Sequence, residues 1–287
     1  DTGNMIDLDQ MTQKIEELPP LPDIVVKLLH ASRDPNVSVR DMVELIKYDP
    51  ALTVKVLRLC NSSYYDLPRK INSIQEALVY IGTDTLINFV LAGCLSSFYQ
   101  QAQSGYGLGK GELWRHSVAC AIASQRIASC RTEDARGQSF TAGLLHDIGK
   151  IVLNTYVNNK IEPILNIIET EQVPFGEAER RVLGFSHSQA GAHLARHWNL
   201  PEGLIEAIEY HQEPHKAPSA SDLVAQVHLG NILCLSFGIG VGTDGLAYTF
   251  HPKALSLTGM EISDIFHLSL DIQDDYKKAE DLIGLAA

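Results

Sequence analysis

Apolar residues recur three and four positions apart along almost the whole chain, and strand-like alternation is scarce. At that spacing one face of an α-helix turns inward, so the pattern predicts an all-α protein. Start signals agree with it. Ser38-Val-Arg-Asp41, Ser73-Ile-Gln-Glu76 and Ser186-His-Ser-Gln189 each resemble an N-terminal capping box, and Pro201 suits a first helical turn. The reading places helices near 8–17, 22–32, 39–48, 51–62, 73–81, 84–101, 112–130, 133–148, 159–171, 175–183, 187–198, 202–212, 219–236 and 262–282.

The 287 residues are enough for two domains or for one with two lobes. The segment QAQSGYGLGKGE (101–112) is rich in glycine and polar residues and is read as the linker. The division expected is an N-terminal helical lobe over 1–105 and a C-terminal lobe over 106–287 that carries the functional site. A second glycine-rich stretch, FGIGVGTDG (237–245), lacks the preceding strand and following helix of a phosphate-cradling loop, and is read as a plain loop.

The hydrophobic fraction of 45% supports a sizeable core, and the formal net charge is −12. An acidic surface repels phosphate backbones, which argues against nucleic acid and anionic membranes as partners. Five cysteines without a CxxC pair, in apolar surroundings, fit reduced buried thiols in a cytoplasmic protein. No signal peptide and no uncharged apolar run of membrane-spanning length is apparent.

Within AGLLHDIGKIV (142–152) two polar groups able to bind metal, His146 and Asp147, stand side by side in an apolar run. Similar groups recur on the apolar stripes of other predicted helices. His116 aligns with Leu113, Cys120 and Ile127; His187 with Gly191, Leu194 and Trp198; His211 with Leu204 and Ile208; His228 and Asn231 with Val224 and Leu235. A lone histidine on an apolar face is ordinarily a hydrogen-bonded core residue. Repetition on five helices points instead to one site, because buried polar groups need partners and one cation can serve several imidazoles and a carboxylate. Such a mixed set suits Fe, Mn or Zn rather than Ca or Mg. His193 and His197 form an i,i+4 pair, but Leu194 stands where a zincin needs glutamate, and a solvated face is expected. His215 is placed in a loop, and His251 and His267 lack nearby ligand partners.

His116, His146-Asp147, His187 and His211 together resemble the HD superfamily of metal-dependent phosphohydrolases, and LLHDIGK (144–150) is especially similar to its HD-GYP branch. In the N-terminal half, LPPLPDIVVKLL (18–29) and the long string from Leu45 to Gly82 resemble the HDOD domain of bacterial signalling proteins, the likeness covering roughly 15–236. The resemblance implies an all-α fold with an N-terminal helical lobe and an HD-like C-terminal lobe. Read from the residues alone, Pro19, Pro20 and Pro22 set a helix entry, Asp49-Pro50 ends one helix and opens the next, and Leu52, Val56 and Leu59 form a core stripe. Asn61, Ser62, Tyr64 and Tyr65 crowd a helix end, where they close a turn or meet a partner, the structural role being favoured.

Two positions depart from the catalytic pattern of that superfamily. Asn231 stands where a late-helix aspartate would close the metal shell, and Gln212 stands where the HD-GYP branch has a second histidine. The metal set carried over is therefore His116, His146, Asp147, His187, His211 and Asn231, with a second ion deprived of ligands. Lys150 and Arg115 either face an anionic group or are solvated. The resemblance implies a signalling module that works through protein partners, with sensitivity to an ion or a nucleotide ligand. The alternatives are a metal-dependent phosphohydrolase or phosphodiesterase acting on a nucleotide or cyclic dinucleotide, and a scaffold whose histidines satisfy one another.

Overall fold

Helix starts in this protein are set by residues that hold free backbone N–H groups, as Ser73, whose Oγ accepts Glu76 N–H at 3.1 Å, and two further capping sites show. Asp49 accepts Leu52 N–H at 3.0 Å with Pro50 at the first helical position, and Ser186 and Gln189 form a reciprocal capping box. The computed structural model describes residues 7–31, 43–44, 46–47, 49–62, 69–130, 136–248, 250–279 and 283–284. The predicted helix at 39–48, the Ser38 cap, and Tyr64 and Tyr65 fall wholly or largely outside the described residues.

Among the described residues the chain is all-α, with one isolated bridge between Gln103 and Leu108 in place of any strand. The helices are α1 (Leu8–Glu16), α2 (Asp23–Ala31), α3 (Pro50–Cys60), α4 (Ile74–Leu95), α5 (Glu112–Ser129), α6 (Arg136–Leu145) and α7 (Gly149–Glu171). They continue as α8 (Phe175–Leu183), α9 (His187–His197), α10 (Glu202–Tyr210), α11 (Ser221–Ser236), α12 (Lys253–Thr258) and α13 (Ile262–Lys278).

Three differences from the sequence reading have physical causes. The two helices expected at 73–81 and 84–101 form one element, kinked where Gly82 adopts φ 77°. The helix expected at 159–171 begins ten residues earlier, at Gly149. Lys160 leaves helical geometry where Pro163 disturbs the hydrogen-bond ladder, so that kink marks the expected start. Residues 149–159 are held by packing on α8 and α9 rather than by helix propensity. The short α12 carried too few turns to show a period.

The buried core is continuous from Met11 to Ala279. Its centre is α5, where residues 116–124 are all buried, so that stretch of the helix is enclosed by α6, α11, α13 and neighbouring segments. Helix α4 packs against α6, and α1 against α7 and α9, so the two halves share this core. The stretch Ile74–Tyr99 has the length and apolarity of a membrane span, but much of it is buried inside the protein, as befits a core helix. Asn61 closes a turn: it donates to Leu57 O and Ile71 O, both at 2.8 Å, and accepts Ile71 N–H at 2.7 Å. On α13, Ile265, Leu268, Ile272 and Tyr276 face the core, whereas Ile262, Phe266 and Leu270 stand 65–72% exposed on its outer side.

Candidate metal centre

Five segments bring polar groups to one buried point. His116 comes from the first turns of α5. His146 and Asp147 do not lie inside a helix, as the sequence reading had them; they occupy the turn between α6 and α7. Successive i→i−3 bonds, Ile148 N–H to Leu145 O (2.9 Å) and Lys150 N–H to Asp147 O (3.0 Å), make that turn tight. It throws both side chains inward, which an α-helix with ~100° between neighbours does not do as readily. His187 is the first residue of α9, and His211 caps the end of α10. Helices α7 and α9 cross in close contact because Gly149 and Gly191 meet there. A Cβ on Gly149 would overlap the His187 carbonyl oxygen and stand 2.9 Å from Gly191 Cα.

Asp147 is the hub. Its Oδ2 lies 3.7 Å from His116 Nε2 and 3.4 Å from His146 Nε2. Its Oδ1 lies 3.5 Å from His187 Nε2 and 3.7 Å from His211 Nε2. These form two ligand triads, His116–His146–Asp147 and Asp147–His187–His211, sharing one carboxylate. Two donors on one ion at the usual 2.0–2.1 Å stand about 3.3 Å apart, so the spacing fits a cation in either triad. The second triad also brings three candidate ligand atoms together, with Gln212 standing beside it where the HD-GYP branch has a further histidine. Asn231 Oδ1 on α11 is buried without a hydrogen-bond partner, as are His146 Nε2 and His211 Nε2; orphaned buried acceptors of this kind suit a cation.

Every imidazole has its other nitrogen fixed. Nδ1 donates to Ile239 O in His116 (2.9 Å), to Gly143 O in His146 (2.7 Å), to Ile208 O in His211 (2.8 Å) and to Glu179 Oε2 in His187 (2.7 Å). Such bonds select the tautomer whose Nε2 lone pair faces the centre. Burial brings the pKa of His116 down to about 4 and holds His211 well below an ordinary imidazole. Burial also works against a charged His146, yet Asp147 and Cys120 push it up to about 10. Burial alone would raise Asp147, but His146 and Lys150 hold it well below the usual carboxylate range. Around the centre, among the described residues, Asp147, Glu179 and Asp244 face the one buried ammonium of Lys150, a surplus of acceptors that a protonated imidazole or a metal ion would balance.

Lys150 belongs to the centre. Its Nζ lies 2.7 Å from Asp147 Oδ2 and 2.7 Å from Asp244 Oδ2, all three side chains being buried. Burial opposes its charge and the two carboxylates outweigh burial. Arg115 is exposed on α5 and does not join the cluster. His193 is half-buried and meets Thr12 Oγ1 at 3.3 Å, and His197 is exposed. His228 is a core histidine. Its Nδ1 donates to His211 O at 2.8 Å, and its Nε2 accepts the His251 N–H at 3.0 Å. His215 and His251 do meet each other, their rings stacked 4.2 Å apart.

The glycine-rich stretches do more than link. Tyr106, from the expected linker, is fully buried, and its hydroxyl donates to Glu179 at 2.7 Å. Glu179 in turn accepts both the backbone and ring N–H of His187. Residues 237–248 form a strap across the site. Gly240 (φ 64°) passes so close to His116 that a Cβ would come within 2.5 Å of the His116 Cβ, Thr243 N–H bonds Tyr106 O at 2.7 Å, Asp244 takes Lys150, and Tyr248 donates to Asp244 Oδ2 at 3.0 Å. Glu179, Asp244, Tyr106 and Tyr248 were absent from the sequence-derived set. One signal for Glu179 was legible: it shares a helical face with Phe175, Ala178 and Leu183, a carboxylate on an inward stripe.

Fold and cluster together define an all-α protein built round a buried histidine–aspartate centre, related to the HD superfamily. A family model described as the HDOD domain matches residues 18–214, and the chain belongs to the HDOD family. It is similar to an HDOD domain protein of unknown function from Geobacter sulfurreducens, at 25% identity and a TM-score of 0.71, covering 97% of this chain and 98% of that one. A candidate signal transduction protein from Marinobacter aquaeolei VT8 shares the fold at 21% identity and a TM-score of 0.75, over all of this chain and 68% of that one. A candidate phosphohydrolase from Shewanella amazonensis SB2B does so at 23% and 0.72, over 96% and 98%. An uncharacterized protein of Treponema pallidum (strain Nichols) is 25% identical over 224 residues, which is 77% of this chain and 43% of that relative, so this chain spans less than half of its length.

Proposed function

We propose that this chain is a signalling module of the HDOD type that holds a transition metal in a closed centre and acts on protein partners, with little or no turnover of its own. The ion is iron, manganese or zinc, matching the mixed imidazole and carboxylate donors. His116, His146 and Asp147 would hold it, with Asn231 as a neutral oxygen donor. Such an ion acts as a Lewis acid and lowers the pKa of a bound water.

Closure is the observation that carries this reading. His146, Asp147, His187 and His211 have no solvent-exposed surface, and the 237–248 strap lies across them. Phosphodiester hydrolysis requires the phosphoryl oxygens to reach the ion, and a free cationic side chain assists it. Here the cation, Lys150, is already paired with two carboxylates. The exposed apolar row Ile262, Phe266 and Leu270 supports a role in protein contact, since a catalytic role makes no use of it.

A metal-dependent phosphohydrolase acting on a nucleotide is the second reading. Lys150 favours it, as an ammonium one turn from the ligand Asp147. Elemental analysis of the purified protein, combined with a hydrolysis assay on a panel of phosphodiesters with added manganese or iron, separates the two. Bound metal without turnover is expected. Multiple turnover of any diester would replace the first reading with the second, and absence of metal under every loading condition would reduce the cluster to a set of mutually satisfied side chains.

A further inference from the structure

The two triads around Asp147 are not equivalent. His146 Nε2 and His211 Nε2 are buried without a hydrogen-bond partner, whereas His187 Nε2 meets the side-chain amide nitrogen of Gln212 at 2.9 Å. The Tyr248 hydroxyl also lies 3.3 Å from that nitrogen, but its one proton goes to Asp244 Oδ2. The amide is therefore the donor to His187. An imidazole nitrogen has one lone pair, which serves either an N–H donor or a metal.

We propose that Gln212 is a plug that keeps His187 out of metal coordination. One ion is then held on the His116–His146 side of Asp147, and the His187 side opens to a second only when the amide withdraws. This rests on the reading that the cluster holds metal at all.

The seat of the plug is built into the chain. Gly176, in the first turn of α8, leaves the space the amide fills: a Cβ there would overlap Gln212 Oε1 and stand 3.2 Å from its Cδ. On the outer side Gln212 lines a cavity of about 280 Å³ together with Phe175, Arg180 and Tyr248. The half-buried side chain can withdraw into that space at the cost of one hydrogen bond. Gln212 is thus a positioning residue for metal stoichiometry and touches no reacting atom.

The test uses the full chain loaded with Mn²⁺, freed of excess ion, and read by elemental analysis and by electron paramagnetic resonance. Wild type is expected to hold one ion per chain with the six-line signal of isolated Mn²⁺. Gln212→Ala is expected to hold two, with that signal replaced by the broadened spectrum of a coupled pair. Gly176→Ala displaces the amide without removing it and is expected to move both readouts the same way. Thermal melts confirm that the variants are folded. Two ions in wild type, or one ion in wild type and in both variants, overturns the plug while leaving the metal reading intact. No metal in any of the three proteins overturns both.

Discussion

Gly149→Ala should destabilise this protein by an amount the α7–α9 crossing sets. The added methyl would overlap the His187 carbonyl oxygen and the Gly191 amide, and would stand 2.9 Å from Gly191 Cα. All three are backbone atoms, so no rotamer change relieves the overlap and the helices must part by roughly 1 Å. Overpacking of this kind costs ~1–3 kcal/mol, and the rigid neighbours put the cost near about 3 kcal/mol. At about 2–4 °C per kcal/mol for a chain of this size, the melting temperature should fall on the order of 6–12 °C. Gly93→Ala is the internal control. Its Cβ would sit 3.5 Å from Leu52 Cδ1 and 3.6 Å from Lys55 Cδ, ordinary contact distances. Alanine inside α4 should then stabilise by about 0.5–1 kcal/mol through backbone entropy. Far-ultraviolet circular dichroism melts of the two variants should move in opposite directions. A Gly149→Ala protein that melts with wild type would refute the crossing as described, and with it the placement of His187 against Asp147.

Three other outcomes are expected. Lys150→Met leaves Asp147 and Asp244 buried without their cation and should cost about 3–5 kcal/mol in urea unfolding; adding Asp244→Asn should recover part of the loss, and strictly additive losses would show that the pair is not coupled. Asn231→Asp should raise metal affinity in a Mn²⁺ titration, while an unchanged affinity would move Asn231 out of the ligand shell. Cys130 is exposed and should react with a thiol reagent in the native state, whereas Cys120, Cys234 and Cys60 should react after unfolding. Burial pushes Cys60 up to about 12. Its folded pKa exceeds its unfolded one, so the stability it contributes is full below the unfolded value and falls as pH rises through the interval up to about 12. Native-state labelling of Cys60 at pH 8 would contradict its burial.

The helical class was readable because period is a local property: an inward stripe such as Leu52, Val56 and Leu59 is written in neighbouring residues. His116, His146, Asp147, His187 and His211 were readable for the same reason, each interrupting an apolar stripe with a group that needs a partner. What escaped was non-local. Asp244 acquires its role from Lys150, 94 positions earlier, and nothing in GIGVGTDG announces that partner. Tyr106 looked like part of a flexible connector because its glycine neighbours resemble one, yet those glycines let the backbone pass close to α7 and the strap. The helical start of α7 was hidden by valine and asparagine, whose weak helix propensity is overridden by packing. Gln212 was noticed as a missing histidine; that its amide caps another histidine depends on Gly176, on a different helix.

The strap from 237 to 248 has a temporal consequence. It is stitched to segments more than a hundred residues upstream, through Ile239 to His116 and Thr243 to Tyr106, and contacts so distant in the chain form late in folding. An ion that entered before those stitches closed would be held behind the strap, and its release would then wait on a local opening of that segment. Which metal such a molecule carries would record the ions present around the nascent chain rather than those in the buffer afterwards.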